Sequence, residues 1–321
     1  MKRFVWGLAL AMGGLMPLAS NAQSFPSKPI RILVGFAPGG APDILARIVA
    51  RKLSDGLGQA VIVENRAGAS GNIAAQAVAK GEPDGHTLLM ATVAVAISPS
   101  YQPSLGYSPV RDFEPVGMVA SVPLILVVRP ELGTNSVKDL IGLAKGNPDK
   151  LNYASVGPGS PQHFSGELFQ LLGGVRVTHI PYKGGGPATQ AVLAGETSMF
   201  FAGMPPAMPH IKAGKLKALA VTSAKRSSAA PEVPTMQEAG LAGFEADNWH
   251  ALYATKGTPA AVIARLNAEL QRILSSADVK EQMLAQGAEA WPSTSQAARE
   301  YLASEVDKWT KVVKTAGLKA E

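Results

Sequence analysis

The chain has 321 residues, 46% of them hydrophobic and 17% charged, a length and composition that suit two packed lobes and exclude a disordered protein. Its formal charge of +6 is dispersed, without basic runs or aromatic interleaving, which excludes nucleic acid as an expected partner and leaves a mild pull on small anions. The absence of cysteine removes disulfides, thiol nucleophiles and thiolate metal sites together.

Residues 1–22 read as a secretory signal. Lys2 and Arg3 form a basic start, Phe4 to Leu18 an apolar stretch shorter than the roughly 20 residues that span a bilayer, and Ser20-Asn21-Ala22 a cleavage site before Gln23. Its removal lowers the formal charge by two, to +4, and predicts a soluble periplasmic protein.

Ile30 to Val34 predicts a buried strand, and Ile44, Leu45, Ile48, Val49 and Leu53 recur at the spacing of one helical face. Between them lies Phe36-Ala37-Pro38-Gly39-Gly40-Ala41-Pro42-Asp43. Glycine lets backbone approach a ligand closely, and Pro42 suits the first helical position. The free N–H groups of a helix start, with the dipole behind them, then form an anion cradle. The same turn also serves widely as plain βα geometry. Asp43 reads as a cap of the helix start that holds the loop N–H groups.

A second strand is expected over 59–63, a helix over 73–79 and a third strand over 87–91, an alternation that predicts a parallel α/β sheet. Glu114 to Val128 holds two apolar runs broken at Ser121-Val122-Pro123, read as a crossing to a second lobe. There, Ser136 and Asp139 resemble a capping box for a helix over 136–145, and 151–156 is a strand. Gly157-Pro158-Gly159-Ser160-Pro161-Gln162-His163 then repeats the opening logic, with Ser160 as N-cap and Pro161 at the first helical position. It is no dinucleotide fingerprint, because Gln162 fills the third glycine position. Strands are expected over 175–181, 197–202 and 216–222, and a helix over 187–194. Phe244 to Tyr253 returns the chain to the first lobe, a long helix follows Thr258-Pro259, and Ser293 to Gln296 reads as a capping box for a last helix. Two crossings make a hinge, with the cleft between the lobes as the default ligand site.

Catalytic arrangements are missing from the pattern. Gly68-Ala69-Ser70-Gly71 lacks the spacing of a nucleophile elbow, and the five histidines lack metal-ligand spacing. His163 stands out because it sits in the first turn of a cradle helix, where a surface role and a ligand contact are equally open. Lys183 in its glycine turn could meet an anion or simply face solvent.

The ordered set Pro29-Ile30-Arg31-Ile32, Phe36 to Gly40 with Asp43 and Arg47, Gly58-Gln59, Val63 to Asn72, Pro83-Asp84-Gly85, Asp112-Phe113, Tyr182-Lys183-Gly184, Ala213 to Leu216, Pro234 to Gly240 and Trp249 resembles the Bug-type periplasmic solute receptors, the binding components of tripartite tricarboxylate transporters. The resemblance implies an α/β, type II periplasmic binding protein fold whose two lobes bind a carboxylate mainly through backbone N–H groups of two strand-to-helix loops. Lobe one is expected to comprise 23–122 and 245–321, and lobe two 123–244. The expected ligand-binding residues are Phe36, Ala37, Pro38, Gly39, Gly40, Ala41 and Asp43 in the first loop, Ser155, Gly157, Gly159, Ser160 and His163 in the second, and Thr92, Tyr182, Phe201 and Ala202 around them. The family loop around Thr92 to Ser98 usually has Asn before Pro; here Ser98 precedes Pro99. No cofactor, no metal and a monomer are expected, with a small carboxylate as ligand and a membrane permease, or alternatively a sensor kinase, as partner. An exported enzyme on the same fold is the rival from another class.

Overall fold

The computed structural model describes residues 25–102, 104–244 and 246–316; the expected signal segment lies outside them. In chain order the elements are β1 (Ile30–Val34), α1 (Ala41–Leu57), β2 (Val61–Asn65), α2 (Asn72–Ala79), β3 (Thr87–Thr92), α3 (Ala94–Tyr101), α4 (Pro109–Asp112), β4 (Phe113–Ser121) and β5 (Leu124–Val128). There follow α5 (Val137–Gly146), β6 (Asn152–Ser155), α6 (Pro161–Gly173), β7 (Thr178–Pro181), α7 (Gly185–Ala194), β8 (Met199–Gly203), α8 (Met204–Lys212) and β9 (Lys217–Val221). The chain ends with β10 (Trp249–Thr255), α9 (Ala260–Ser275), α10 (Ala277–Ala285), β11 (Glu289–Ala290) and α11 (Ser295–Ala316).

The strands form two sheets, ordered β11-β4-β10-β3-β1-β2 and β7-β6-β8-β5-β9. Both are mixed, where alternating strands and helices had suggested purely parallel ones. In the first, β1 pairs parallel with β2 and β3 while β10 is antiparallel to β3 and β4; in the second, β5 is antiparallel to β8 and β9. The reason is topological. β10 and β5 are the strands by which the chain arrives from the other sheet. They enter where the parallel strands end, so they run the opposite way.

Each sheet is covered on both faces, and the strand residues alternate accordingly. In β1, Ile30, Ile32 and Val34 pack with Leu45, Val49 and Leu53 of α1 and with α9, while Leu33 faces Ala74, Ala75 and Val78 of α2. Burying each of the larger aliphatic side chains contributes about 1.5–3 kcal/mol. In the second sheet, Tyr153, Met199 and Phe201 face α5 and α6, and Ala154, Phe200 and Ala202 face α7 and α8. One core cluster runs unbroken from the first sheet to the second; along it Tyr101 meets Phe164 edge to face, and Phe164 meets Trp309 at a tilt.

Helix starts follow local chemistry. Ser136 accepts from the Asp139 N–H (3.0 Å), and the Asp139 carboxylate answers on Asn135, one residue outside the expected box. At α11 the cap is Thr294, which accepts from the Ala297 N–H (3.1 Å); Ser293 instead accepts from the Met118 N–H (2.9 Å), so the expected Ser293–Gln296 box does not form. The Thr92–Ser98 segment is helical from Ala94, and the Ser98 hydroxyl donates to the Ala94 carbonyl (2.7 Å), inside α3 and away from any cleft.

Candidate functional site

Two loops of matching build face one another across the gap between the sheets. In each, a strand ends, a Pro-Gly pair turns the chain, and a helix starts with proline in its first two positions. Gly40 and Ser160 are the N-caps, with nearly superposable backbone angles (φ −81°, ψ 166° and φ −79°, ψ 157°). Pro42 is the second residue of α1, since Ala41 begins that helix, whereas Pro161 is the first of α6. The glycine before each cap, Gly39 (φ +84°) and Gly159 (φ +76°), needs a left-handed backbone that other residues rarely adopt.

The third helical residue locks each loop. Gly39 N–H donates to Asp43 Oδ2 (3.0 Å), and Gly159 N–H donates to His163 Nδ1 (3.2 Å). Asp43 also receives Arg47 (2.9 Å) and Asn65 (2.9 Å), and Asn65 reaches on to the Phe36 carbonyl (3.0 Å). Burial alone would raise the Asp43 pKa, but these donors outweigh it and hold the carboxyl below its ordinary range. His163 is buried and stacks on His179 with centroids 4.3 Å apart; burial, with the neighbouring ring, pushes its pKa down to about 3. A neutral ring is what Nδ1 must be to accept a hydrogen bond. On the strand side, Ser155 Oγ accepts from the Gly157 N–H (2.9 Å) and lies 2.5 Å from His179 Nε2.

Between the loops is a cavity of about 30 Å³, lined by Phe36, Gly40, Ala41, Pro42, Thr92, Val156, Pro161, Gln162, Gly185, Gly203, Pro206 and Asn248. They come from the starts of α1, α6, α7 and α8, from the ends of β1, β3 and β6 or just beyond them, and, with Asn248, from the residue before β10. Among the described residues, the N–H groups of Gly40, Ala41, Gln162 and Gly185 have no acceptor within the chain. Helix N-terminal N–H groups and their dipoles therefore converge from both sheets on one small space. Among the described residues, no acidic, basic or histidine side chain lines it.

Of the residues expected from sequence, Phe36, Gly40, Ala41 and Thr92 line the cavity. Pro38 and Gly39 are exposed, and the Gly39 N–H is already taken by Asp43. Ser155, Ser160, His163 and Asp43 are buried and hold the loops in shape, while Gly157 and Gly159 have their N–H groups engaged by Ser155 and His163. Ala37 packs where a side chain on Gly184 would come within 3.0 Å of its Cβ. Tyr182 is half-buried on the α7 side, next to Glu196. Phe201 and Ala202 are corrections: both are fully buried in the core, and Phe201 stacks on Phe244 at 5.9 Å and meets Phe169 at 6.2 Å. Their strand ends at the cleft, but alternation turns both side chains into the covering layers.

Pro42, Val156, Pro161 and Gln162, which also line the cavity, belong to the two loops expected from sequence; Gly185, Gly203, Pro206 and Asn248 line it without having been expected there. The glycine turn before α7 carried the only signal, and its Lys183 drew attention away from its glycines. Gln162 Oε1 and Asn248 Oδ1 are buried and unpartnered within the described chain.

The model of the tripartite tricarboxylate transporter family receptor matches residues 45–318. BugT of Bordetella pertussis is 41% identical over 317 residues, covering 98% of this chain and 97% of that protein. Among solved structures, R. palustris Rpa4515 with adipate is 36% identical with a TM-score of 0.89, covering 92% of this chain and all of that one. MatC from Rhodopseudomonas palustris with bound malate is 33% identical with a TM-score of 0.85, covering 90% and all. The periplasmic binding protein BugD is 35% identical with a TM-score of 0.89, covering 92% of this chain and all of that one. The two mixed α/β sheets are those of a type II periplasmic binding protein, and the chain belongs to the tripartite tricarboxylate transporter receptor family.

Proposed function

We propose that this protein is a non-catalytic periplasmic receptor that captures a small carboxylate between its two lobes and presents it to a membrane permease. The observation that carries this reading is the convergence of helix N-termini from both sheets on one cavity that, among the described residues, has no charged side chain on its wall. Backbone N–H groups and helix dipoles hold an anion without a cationic clamp, and a low-dielectric surround strengthens them. A cavity with no acid, base or activated nucleophile among the described residues of its wall serves binding and not turnover. Relatives that carry adipate and malate point to the same ligand class. Residues 23–122 with 245–321 and residues 123–244 act as the closing units, with Ser121 to Pro123 and the segment before Trp249 as hinges.

The test is a thermal-shift screen of the protein beginning at Gln23, unfolded and refolded to strip carried ligand, against mono-, di- and tricarboxylates, amino acids and aromatic acids. A bound acid at 100 times its Kd stabilises by about 2.7 kcal/mol, a clear upward shift in Tm. A folded protein that responds to none of them overturns the reading.

A further inference from the structure

Two side-chain oxygens at the cleft are not used by the fold. Gln162 Oε1 and Asn248 Oδ1 are buried, and neither meets a donor among the described residues. Gln162 is 7% exposed and Asn248 3%, and both residues line the cavity on which the helix starts converge. Gln162 is the second residue of α6, which covers the second sheet, and Asn248 precedes β10 of the first, so each side of the cleft brings one amide. The other polar side chain on the described wall is Thr92, whose hydroxyl accepts from the Ala94 N–H (3.2 Å). The rest of that wall is apolar or glycine. With about two waters' worth of volume, the cavity has to widen for a carboxylate and its chain, which brings the wall groups within the ligand's reach.

A buried carbonyl without a donor is costly until a donor arrives. A plain carboxylate brings acceptors only. It satisfies the free N–H groups of Gly40, Ala41, Gln162 and Gly185 and offers nothing to the two amide oxygens. A hydroxyl on the same ligand supplies the missing O–H. An ammonium would donate too, but it would bring a positive charge to helix N-termini and to a wall with no acidic side chain among its described residues.

Resting on the carboxylate reading above, we propose that Gln162 and Asn248 select a hydroxy-carboxylate: the helix starts hold the carboxylate, and the ligand hydroxyl donates to the amide pair. A site built this way rejects the analogue lacking the hydroxyl, because its own polar groups are then left unpaired.

The test is isothermal titration with ligand sets matched in chain length: lactate, propionate and alanine; malate, succinate and aspartate; and the hydroxy, unsubstituted and amino forms of the best-bound acid of the thermal-shift screen. In every set that binds, the hydroxy acid is expected to bind the wild type at least about tenfold more tightly than both counterparts. The double variant Gln162→Met with Asn248→Leu keeps side-chain size and removes both carbonyls. Shown folded by circular dichroism, it is expected to bring the hydroxy and unsubstituted acids within about threefold of one another, with the unsubstituted acid bound no more weakly than by the wild type. Equal wild-type affinity for the hydroxy and unsubstituted acids, or tighter binding of the amino acid, overturns the inference and leaves the receptor reading standing. So does a hydroxyl preference that survives in the folded double variant. Failure of every carboxylate to bind the wild type overturns both.

Discussion

Asp43 and His163 perform one task with different chemistry, each accepting the N–H of the glycine four residues earlier so that the loop presents its remaining N–H groups outward. Asp43→Ala removes that bond together with the Arg47 and Asn65 contacts, and should lower stability by about 2 kcal/mol in urea unfolding while weakening carboxylate binding. Because its folded pKa is depressed, the Asp43 contribution is fully present above about pH 4 and is lost as pH falls further. His163 and His250 also have depressed pKa values, each about 3. Below about pH 6.5 the unfolded chain takes up a proton at each that the folded chain refuses, so stability falls with pH by about 1.4 kcal/mol per unit per histidine. His163→Gln keeps an acceptor for Gly159 and should remove one such increment from the slope between pH 6 and 4. An unchanged slope would show that His163 already titrates in the folded protein. The role of Asp43 was legible in the sequence because capping is local. That of His163 was not, since spacing places a ring on a helix but does not tell that burial keeps it neutral.

At the scale of elements, most of the strands and helix starts follow from local pattern, and the two cradles were legible as a repeated strand, Pro-Gly turn and proline-headed helix. The helices α3 and α8 were missed, because their apolar and proline-containing sequences carry little periodicity and tertiary packing decides them. So was the antiparallel sense of β5 and β10, which depends on the other sheet. At Gly40 an added Cβ meets only ordinary contacts, 3.7 Å and beyond, on the side of the Gly185 N–H. Gly40→Val should therefore fold normally and lose about a hundredfold in carboxylate affinity, about 2.7 kcal/mol by titration calorimetry. In the crossing, Ser121 Oγ donates to both carboxylate oxygens of Asp247 (3.0 and 2.9 Å), while burial and Glu305 push the Asp247 pKa up. A raised folded pKa means stability is lost as pH rises through it. Asp247→Asn keeps the Ser121 partner and should be more stable than wild type by about 1 kcal/mol at pH 8, with the gap closing toward pH 4 in thermal unfolding.

For the whole molecule, side-chain contacts join the parts of the chain that carry the two sheets. Ser228 N–H and Oγ donate to Glu289 Oε1 (3.1 and 2.6 Å), and Gly287 sits so near Met204 that an added Cβ would come within 2.2 Å of the Met204 Cβ. Gly287→Ala should force this contact apart, favour the open form and weaken ligand binding by about tenfold through the smaller closed fraction, without loss of either sheet by circular dichroism. In the proposed receptor, helix starts from both sheets hold a negative charge. Titration calorimetry with the best-bound carboxylate and its uncharged primary amide, which has nearly the same size and shape, tests it most directly. The acid should bind at least about a hundredfold tighter than the amide. Equal affinity for the two would contradict it.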